Sequence, residues 1–314
     1  MPFLFTPPRL AFKSVFALGF AAALAFTPLA GAQTTPPGAA PVEALVPLDD
    51  NLALGNPSGA LASLDNKDLN NLLVRHPAFA LSYNQSNGGP NWVSWHLAQS
   101  DRGRTGRSEN FRPDPLLPPE ARIRPNDYRG TGYDRGHQCP SGDRTADEAA
   151  NASTFLMSNM LPQTPDLNRQ LWRKFEEYCR SQLRAGANEL YIVTGGTGSV
   201  ERIANGKVNV PASCWKVAVI LPSGDNDLAR INASTRVVSI LAPNKNGVEI
   251  SGGDWRTYLT SVDTIEEATK LDLLSNLPVE VQKVLEARVD TGRATRQTGA
   301  TETDKAETDN TDQK

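Results

Sequence analysis

Strand-like and helix-like patterns are mixed along this chain of 314 residues, and no strand–helix unit repeats. Helical spacing is clearest from Asp166 to Leu183, with Asp166 as a candidate N-cap and Gly186 as a stop signal. Shorter helical patterns cover residues 264–274 and 278–287. Because regular alternation of strand and helix is typical of a parallel sheet, its absence predicts a mixed α+β domain. Short apolar runs near Pro or Gly predict strands at 94–98, 189–194, 214–221 and 236–241.

The N-terminus has the pattern of an export signal. Arg9 and Lys13 provide positive charge, residues 15–26 are apolar, and small residues at 30–32 resemble a cleavage site. The apolar run is short, because a membrane span needs roughly 20 apolar residues. We therefore expect a secreted or periplasmic protein without stable membrane association once the signal is removed.

Composition divides the rest of the chain. A Pro/Ala-rich stretch follows the signal and is typical of a linker, whereas the C-terminal stretch is polar and typical of disorder. The predicted segments are a signal peptide at 1–32, a linker at 33–47, one folded domain at 48–290 and a disordered tail at 291–314.

Net charge and cysteine spacing exclude two simple classes of protein. The formal charge is −3, so the chain does not coat nucleic acid through bulk positive charge. Phosphate binding then requires a local cluster of Arg and Lys, or a metal. The three cysteines, Cys139, Cys179 and Cys214, form no Cys-x-x-Cys pair, which argues against structural zinc. Buried thiols and a single disulfide both remain open.

The segment Gly130–Gln138 joins a cation to a titratable base. Arg135 and His137 are two positions apart, so both side chains point to the same face of an extended strand. A guanidinium that binds an anion, beside an imidazole that titrates near pH ~6.5, suits a phosphate ester. The alternative is a structural histidine in a Gly-rich turn. The surrounding segment, 88–143, is long for an irregular loop and is therefore predicted to be functional.

The helix predicted at 166–183 carries a second group of polar residues. Asn168, Trp172, Glu176 and Arg180 follow one another at steps of four, which predicts one stripe along the helix. Asn168 is a weak helix former, and its amide oxygen is a neutral hard ligand of the kind that Mg²⁺ accepts. Together with a histidine base and arginines, this favours metal-assisted hydrolysis of a phosphodiester.

These motifs resemble those of the DNA/RNA non-specific endonucleases, the ββα-metal nucleases that include endonuclease G. The core of the resemblance is Asp134-Arg135-Gly136-His137, with Asn168 following His137 by 31 positions. The resemblance implies a central antiparallel β-sheet flanked by helices, with a ββα-metal motif in which a hairpin bears the histidine and a helix bears the asparagine. It extends from about Ser82 to Glu286 and includes matching segments at 110–114, 159–172 and 251–277.

The resemblance implies a role for each matched residue. His137 corresponds to the general base that activates water, Asn168 to the direct protein ligand of Mg²⁺, and Glu176 to the acid that holds water around the ion. Mn²⁺ or Co²⁺ can substitute, because one neutral oxygen ligand discriminates poorly between hard divalent ions. The arginines expected to bind the scissile phosphate are Arg112, Arg135 and Arg180, and the supporting residues are Asp134, Asn159, Gln163 and Trp172.

The implied activity is Mg²⁺-dependent endonuclease cleavage of DNA and RNA, without sugar specificity, that leaves 5′-phosphate and 3′-hydroxyl ends. Non-specificity follows when a protein contacts phosphate rather than base edges. Two alternatives stay open: a catalytically silent nucleic-acid- or protein-binding module on the same fold, and a phosphodiesterase for a small nucleotide.

Other residues have an ordinary interpretation beside a functional one. His76 and His96 lie in no motif and are interpreted as structural. Trp92 and Trp95 are expected either to stack on bases or to pack in the core. Arg102, Arg104 and Arg107 form either a solvated loop or a patch that attracts the nucleic acid backbone. Since both flank the predicted site, Cys139 and Cys179 are a candidate disulfide.

Overall fold

The computed structural model describes residues 50–62, 68–247 and 254–291. The predicted signal peptide, the linker and all but the first residue of the tail lie outside these residues, so those three segments stay predictions. Among the described residues, no helix combines the length and the apolar character that crossing a bilayer requires.

A seven-stranded antiparallel sheet forms the centre of the fold. This confirms the expected α+β class and central antiparallel sheet. In their order across the sheet, the strands are β1 (Leu72–His76), β2 (Phe79–Asn84), β3 (Gly89–Leu97), β6 (Asn188–Thr197), β9 (Ser213–Pro222), β10 (Arg236–Pro243) and β11 (Leu259–Thr260).

Within the residues that the structure describes, two small antiparallel pairs and five α-helices accompany this sheet. The hairpins are β4 (Asp134–His137) with β5 (Met160–Gln163), and β7 (Glu201–Ile203) with β8 (Val208–Val210). The α-helices are α1 (Glu148–Ser153), α2 (Arg173–Ser181), α3 (Asp227–Arg230), α4 (Val262–Thr269) and α5 (Val279–Glu286).

The central sheet is buried on both faces, and its strands alternate between two cores. In β9, Ala218 packs with Phe175 of α2 on one face, whereas Val217 packs with Ile265 of α4 on the other. Successive side chains of a strand point to opposite faces, so a doubly covered strand is apolar along its whole length. This explains the unbroken apolar character of residues 217–221.

Sequence patterns located the long buried strands and the three predicted helices, but the helix predicted at 264–274 ends at Thr269, where Lys270 adopts a left-handed backbone conformation. The helix predicted at 166–183 has an unexpected form, because residues Leu167–Trp172 are a π-helix that continues into α2. Asp166 stands at its start, but its carboxylate accepts a hydrogen bond from the Gly247 amide (2.7 Å) instead of capping the helix. Single π-turns are frequent at functional sites.

Candidate active site

A groove of about 540 Å³ lies between the β4–β5 hairpin and the helix that includes α2. β4 presents Arg135 and His137 to the groove, and the helix presents Asn168, Glu176 and Arg180. Five of the six residues expected to act on substrate or metal therefore share one cavity. Its lining residues are Arg107, Arg135, His137, Pro140, Ser141, Gly142, Asn168, Arg169, Arg173, Glu176, Glu177 and Arg180.

His137 is held between two aromatic rings at the end of β4. Its ring lies 4.8 Å from the Phe155 ring and 5.5 Å from the Phe111 ring, in edge-on contacts. The imidazole bonds to the backbone of Arg135, while its Nε2 has no hydrogen-bond partner. The nitrogen that meets the Arg135 carbonyl is therefore Nδ1, which donates, and the neutral tautomer leaves Nε2 with a free lone pair.

Burial and positive neighbours keep this imidazole neutral. Burial lowers the pKa of His137 most, and the charges of Arg107, Arg135 and Lys216 lower it further, to about 3. The hydrogen bond to the Arg135 carbonyl acts in the opposite direction. A neutral imidazole with an unpartnered nitrogen has the protonation state that a general base needs.

Asn168 is fixed by its amide nitrogen. Its Nδ2 donates to Asp134 Oδ2 (2.9 Å), and Asp134 also accepts two hydrogen bonds from Arg169, at 2.6 and 2.7 Å. Burial alone would raise the pKa of Asp134, but the bonds from Arg169 and Asn168 lower it overall. An ionised carboxylate can only accept hydrogen bonds. The Asn168 side chain therefore turns its amide nitrogen toward Asp134 and its amide oxygen away.

Glu176 faces a buried lysine. Lys216 on β9 is 1% exposed, and its Nζ lies 3.5 Å from the Glu176 carboxylate. The same Nζ contacts the Gln138 carbonyl at 3.4 Å and lies over the rings of Trp95 and Trp172. Burial raises the pKa of Glu176, and Lys216 and Arg180 partly offset this. The positive charge of Lys216 thus stabilises the ionised carboxylate of Glu176 in the wall of the groove.

Arginines give the groove a positive surface on an acidic protein. Arg180 pairs with Asp143 (2.9 Å), and Arg135 stacks on the Phe111 ring at 3.9 Å. Arg107 donates to Ser141 Oγ (2.9 Å) and pairs with Glu109. These contacts orient guanidinium groups that are suited to bidentate binding of phosphate.

Of the six residues expected to act on substrate or metal, Arg112 is the one that the structure does not bring into the groove lining. Its Nη1 donates to the carbonyl oxygens of Ala152 (2.7 Å) and Asn110 (3.2 Å), and its backbone pairs with residues 155–157. The expectation that Arg112 contacts phosphate thus finds no support in its position. Arg107, for which the sequence left open either a solvated loop or a patch that attracts the nucleic acid backbone, lines the groove.

The four predicted supporting residues lie around the site. Asp134 orients Asn168, and Asn159 holds the chain behind His137 through three bonds, to Cys139 N, Cys139 O and Thr154 O. Gln163 lies against Gly136 so closely that a Cβ there would come 2.2 Å from its Oε1. Trp172 is fully buried under Lys216 rather than lining the groove.

Several ordinary interpretations can be decided. Trp92 and Trp95 are fully buried, so they pack in the core and do not stack on bases. His76 pairs with Asp114 (2.8 Å) inside the fold. All three cysteines are buried free thiols, so the Cys139–Cys179 disulfide is wrong. Burial raises the thiol pKa of Cys179 and Cys214 to about 12, which keeps both unreactive.

Sequence reasoning missed Lys216 and the two rings around His137. The available signal for Lys216 was its place as the one charge in the apolar run at 214–221, because a lysine there needs a buried partner. Phe111 and Phe155 carried no such signal, since a phenylalanine in a loop is equally consistent with ordinary packing.

Comparison with known proteins identifies the family. The family model for DNA/RNA non-specific endonucleases matches residues 59–280. A nuclease of Nostoc sp. is 45% identical over 262 residues, which cover 81% of this chain and 93% of that protein. A nuclease of Serratia marcescens is 30% identical over 251 residues, 76% of this chain and 85% of that protein.

Among solved structures, EndoG in the EndoG/EndoGI complex superposes with a TM-score of 0.61 at 24% identity. The match covers 74% of this chain and 92% of that one, which shows a shared fold. Because the family match spans most of the chain and includes the groove, the chain belongs to the DNA/RNA non-specific endonuclease family.

Proposed function

We propose that this protein is an exported endonuclease that hydrolyses DNA and RNA with His137 as general base and a hydrated divalent cation at Asn168. The observation that carries the proposal is the unpartnered Nε2 of a neutral His137 in a groove lined by five arginines. Export is supported by the sequence of residues 1–32.

The chemistry of the donor groups fits a hydrated Mg²⁺ ion. Asp134 engages the Asn168 amide nitrogen, which leaves the amide oxygen as a ligand. Glu176 adds a carboxylate that can accept hydrogen bonds from the waters of such an ion. When bound, the ion supplies positive charge that stabilises the negative charge developing on the phosphate. Mn²⁺ and Co²⁺ are expected to substitute for Mg²⁺.

The chain's own residues perform the remaining tasks. His137 Nε2 takes a proton from the attacking water as the water oxygen bonds to phosphorus. Arg107, Arg135 and Arg180 hold the phosphate oxygens and are placed where negative charge increases during the reaction. Breaking the bond from phosphorus to the 3′ oxygen, which takes a proton from water, then gives a 5′-phosphate and a 3′-hydroxyl. Since these contacts reach phosphate, the proposal includes both DNA and RNA.

End mapping tests this proposal. Wild-type protein lacking residues 1–32 is incubated with labelled duplex DNA and with RNA, in Mg²⁺ and in EDTA. We expect 5′-phosphate and 3′-hydroxyl ends in Mg²⁺ and no cleavage in EDTA. Ends bearing 3′-phosphate would contradict the assigned direction of attack, and faster hydrolysis of a dinucleotide ester than of plasmid would favour a small-ester phosphodiesterase.

The metal assignment is tested with a matched pair of variants. Asn168→Asp keeps an oxygen ligand at the same position, whereas Asn168→Ala removes it. We expect Asn168→Ala to lose activity at every Mg²⁺ concentration and Asn168→Asp to retain part of it with an altered metal dependence. Equal metal dependence in both variants and the wild type would exclude Asn168 as the ligand.

A further inference from the structure

A second cluster of acidic side chains lies where α4 meets α5, away from the groove residues. Asp263 and Glu266 are on α4, and Glu286 is the last residue of α5. One carboxylate oxygen from each of the three lies within 4.8 Å of the others. The helices pack through Ile265 and Leu285 into the core on the opposite face of the sheet from α2.

Within the described residues, no cation forms an ion pair with these three carboxylates. Glu286 is only 8% exposed, and its Oε1 is a buried atom without a hydrogen-bond partner. A buried carboxylate oxygen without a partner is rare, because the lost hydration is normally replaced by a donor or a cation. The negative charges of the neighbouring acids disfavour the ionised form of Glu286 further. Burial raises the pKa of Glu286 to about 7, with Glu266, Asp263 and Asp272 contributing in turn.

A comparable cluster elsewhere in the fold is neutralised by the protein itself. His96, Glu189 and Asp227 also approach within 4.8 Å of one another, but Arg230 pairs with both carboxylates there. The cluster between α4 and α5 has the same density of ligand atoms without such an arginine in the described residues. The described residues thus provide no cation that balances the charge of these three carboxylates.

We propose that Asp263, Glu266 and Glu286 form a Ca²⁺ site that ties α4 to α5. The donor set contains only oxygen, and Ca²⁺ accepts six to eight oxygen ligands from carboxylates, carbonyls and water in flexible geometry. Mg²⁺ suits it less, since Mg²⁺ demands near-octahedral geometry and loses water reluctantly. Asp263 is exposed, so the ion can enter from solvent.

The site has a structural role in this proposal. Glu266 Oε1 already accepts a hydrogen bond from Leu273 N (2.7 Å), which fixes the segment between the helices. A cation shared with Glu286 would hold the end of α5 against this segment. Calcium binding should therefore raise the unfolding temperature while leaving the nuclease groove unchanged.

The test is thermal unfolding in an Asn168→Ala background, which removes the proposed active-site ligand. Protein freed of metal is scanned at pH 8 with EDTA, with 10 mM CaCl₂ or with 10 mM MgCl₂ at matched ionic strength. A ligand at about 100 times its Kd raises Tm by several degrees. We expect at least ~3 °C with Ca²⁺ and a smaller shift with Mg²⁺.

Three substitutions in that background locate the ion. Glu267→Gln, on the same helix but outside the cluster, should keep the full shift. Asp263→Asn, at an exposed position where folding is not at risk, should raise the Ca²⁺ concentration for half the shift at least tenfold. Glu286→Gln should abolish the shift and unfold at a higher temperature than its parent in EDTA, because it removes a buried unpaired charge.

Three outcomes would overturn the proposal: no Ca²⁺ shift in Asn168→Ala, an unchanged Ca²⁺ response in Asp263→Asn, or an equal response to Mg²⁺. A shift seen in the wild type but lost in Asn168→Ala would assign the calcium to the nuclease groove instead. These measurements do not use nuclease activity, so the result is independent of the function proposed above.

Discussion

At the level of single residues, the site depends on which atoms are left without a partner. His137 Nδ1 is engaged by the Arg135 carbonyl and Asn168 Nδ2 by Asp134, and in each case the other polar atom of the side chain is left for chemistry. Fixing one end of an imidazole or amide is a general way to set the orientation of the other end. Position, rather than pairing, separates Arg107 from Arg112, because only Arg107 lines the groove.

The low pKa of His137 predicts how activity depends on pH. Because the folded pKa is lowered to about 3, the free protein keeps a neutral base well below pH 6. We expect kcat/KM, which reports the free enzyme, to show no loss through His137 between pH 8 and pH 5. A base with an ordinary pKa would lose activity about thirtyfold at pH 5. An acid limb centred near pH 6.5 would contradict the assignment.

The two arginines predict opposite outcomes. Arg107→Ala should lower kcat/KM about a hundredfold with little change in Tm, because it removes a charge aimed at the phosphate. Arg112→Ala should lower Tm, since it removes two hydrogen bonds to carbonyl oxygens. Its kcat/KM should fall less than that of Arg107→Ala when both are assayed well below their unfolding temperatures. The reverse order would restore Arg112 as a phosphate ligand.

At the level of elements, a doubly buried sheet and a close hairpin together position the site. β9 places Lys216 on the face of the sheet against which Trp172 of the π-helix packs. β4 approaches β5 so closely that Gly136 lies against Gln163. β9 and β4 thus place Lys216 and His137 at positions where the surrounding side chains are closely packed.

The contact between Lys216 on β9 and Glu176 on α2 predicts that mutations at the two positions have non-additive effects on stability. Lys216→Met should destabilise the fold by about 1–3 kcal/mol, because it leaves the half-buried Glu176 carboxylate without the lysine that faces it. Adding Glu176→Gln should recover most of that free energy of unfolding, as a double-mutant cycle would show. A folded Lys216→Met protein should also need more Mg²⁺ for half-maximal activity, an effect that a purely structural lysine would not produce. Additive free energies would refute the coupling.

The hairpin contact predicts that Gly136→Ala is harmful. The added methyl group would come within 2.2–2.6 Å of the Gln163 side chain, so either that side chain or the strands must shift. We expect a loss of about 1–3 kcal/mol in the free energy of unfolding, and lower activity because His137 follows directly. Gly106→Ala, where a Cβ meets nothing within 4 Å, is the control. Gln163→Ala should relieve the defect, and a failure to do so would place the strain elsewhere.

Sequence predicted those elements whose identity depends on apolar burial, and missed those that depend on pairing. The strand pattern at 214–221 matches β9, because a long buried strand is apolar throughout. β4 was expected only through the motif and the family resemblance, as the hairpin strand that bears the histidine: its four residues, Asp134–His137, contain no apolar side chain, and its extended form comes from pairing with β5. The π-helix at Leu167–Trp172 likewise has no local signal. The motif located the site, but only packing separated Arg107 from Arg112.

At the level of the whole molecule, the chain is acidic overall but concentrates arginines in the groove. The chain has a net charge of −3, yet five arginines and two glutamates line the groove. Binding of a polyanion should therefore depend on groove arginines and not on general attraction. Arg104 is an exposed arginine of the loop that is absent from the groove lining, which makes it the matched comparison.

This distribution predicts how salt affects cleavage. Arg173→Ala should reduce the slope of log(kcat/KM) for duplex DNA against log salt concentration by up to about 0.9, the value for one phosphate contact. Arg104→Ala should leave the slope unchanged. An equal change in both variants would show that the loop, and not the groove alone, attracts the nucleic acid backbone.

The most direct test of the catalytic assignment is nicking of supercoiled plasmid in Mg²⁺ by wild-type protein and by His137→Ala, prepared identically. His96→Ala, which changes a half-buried histidine outside the groove whose partner Glu189 keeps its ion pair with Arg230, serves as the control for loss of an imidazole. We expect wild type to nick, EDTA to stop it, and His137→Ala to lose at least ~10³-fold while keeping its Tm. A His137→Ala protein that cuts as fast as wild type would contradict the assigned base.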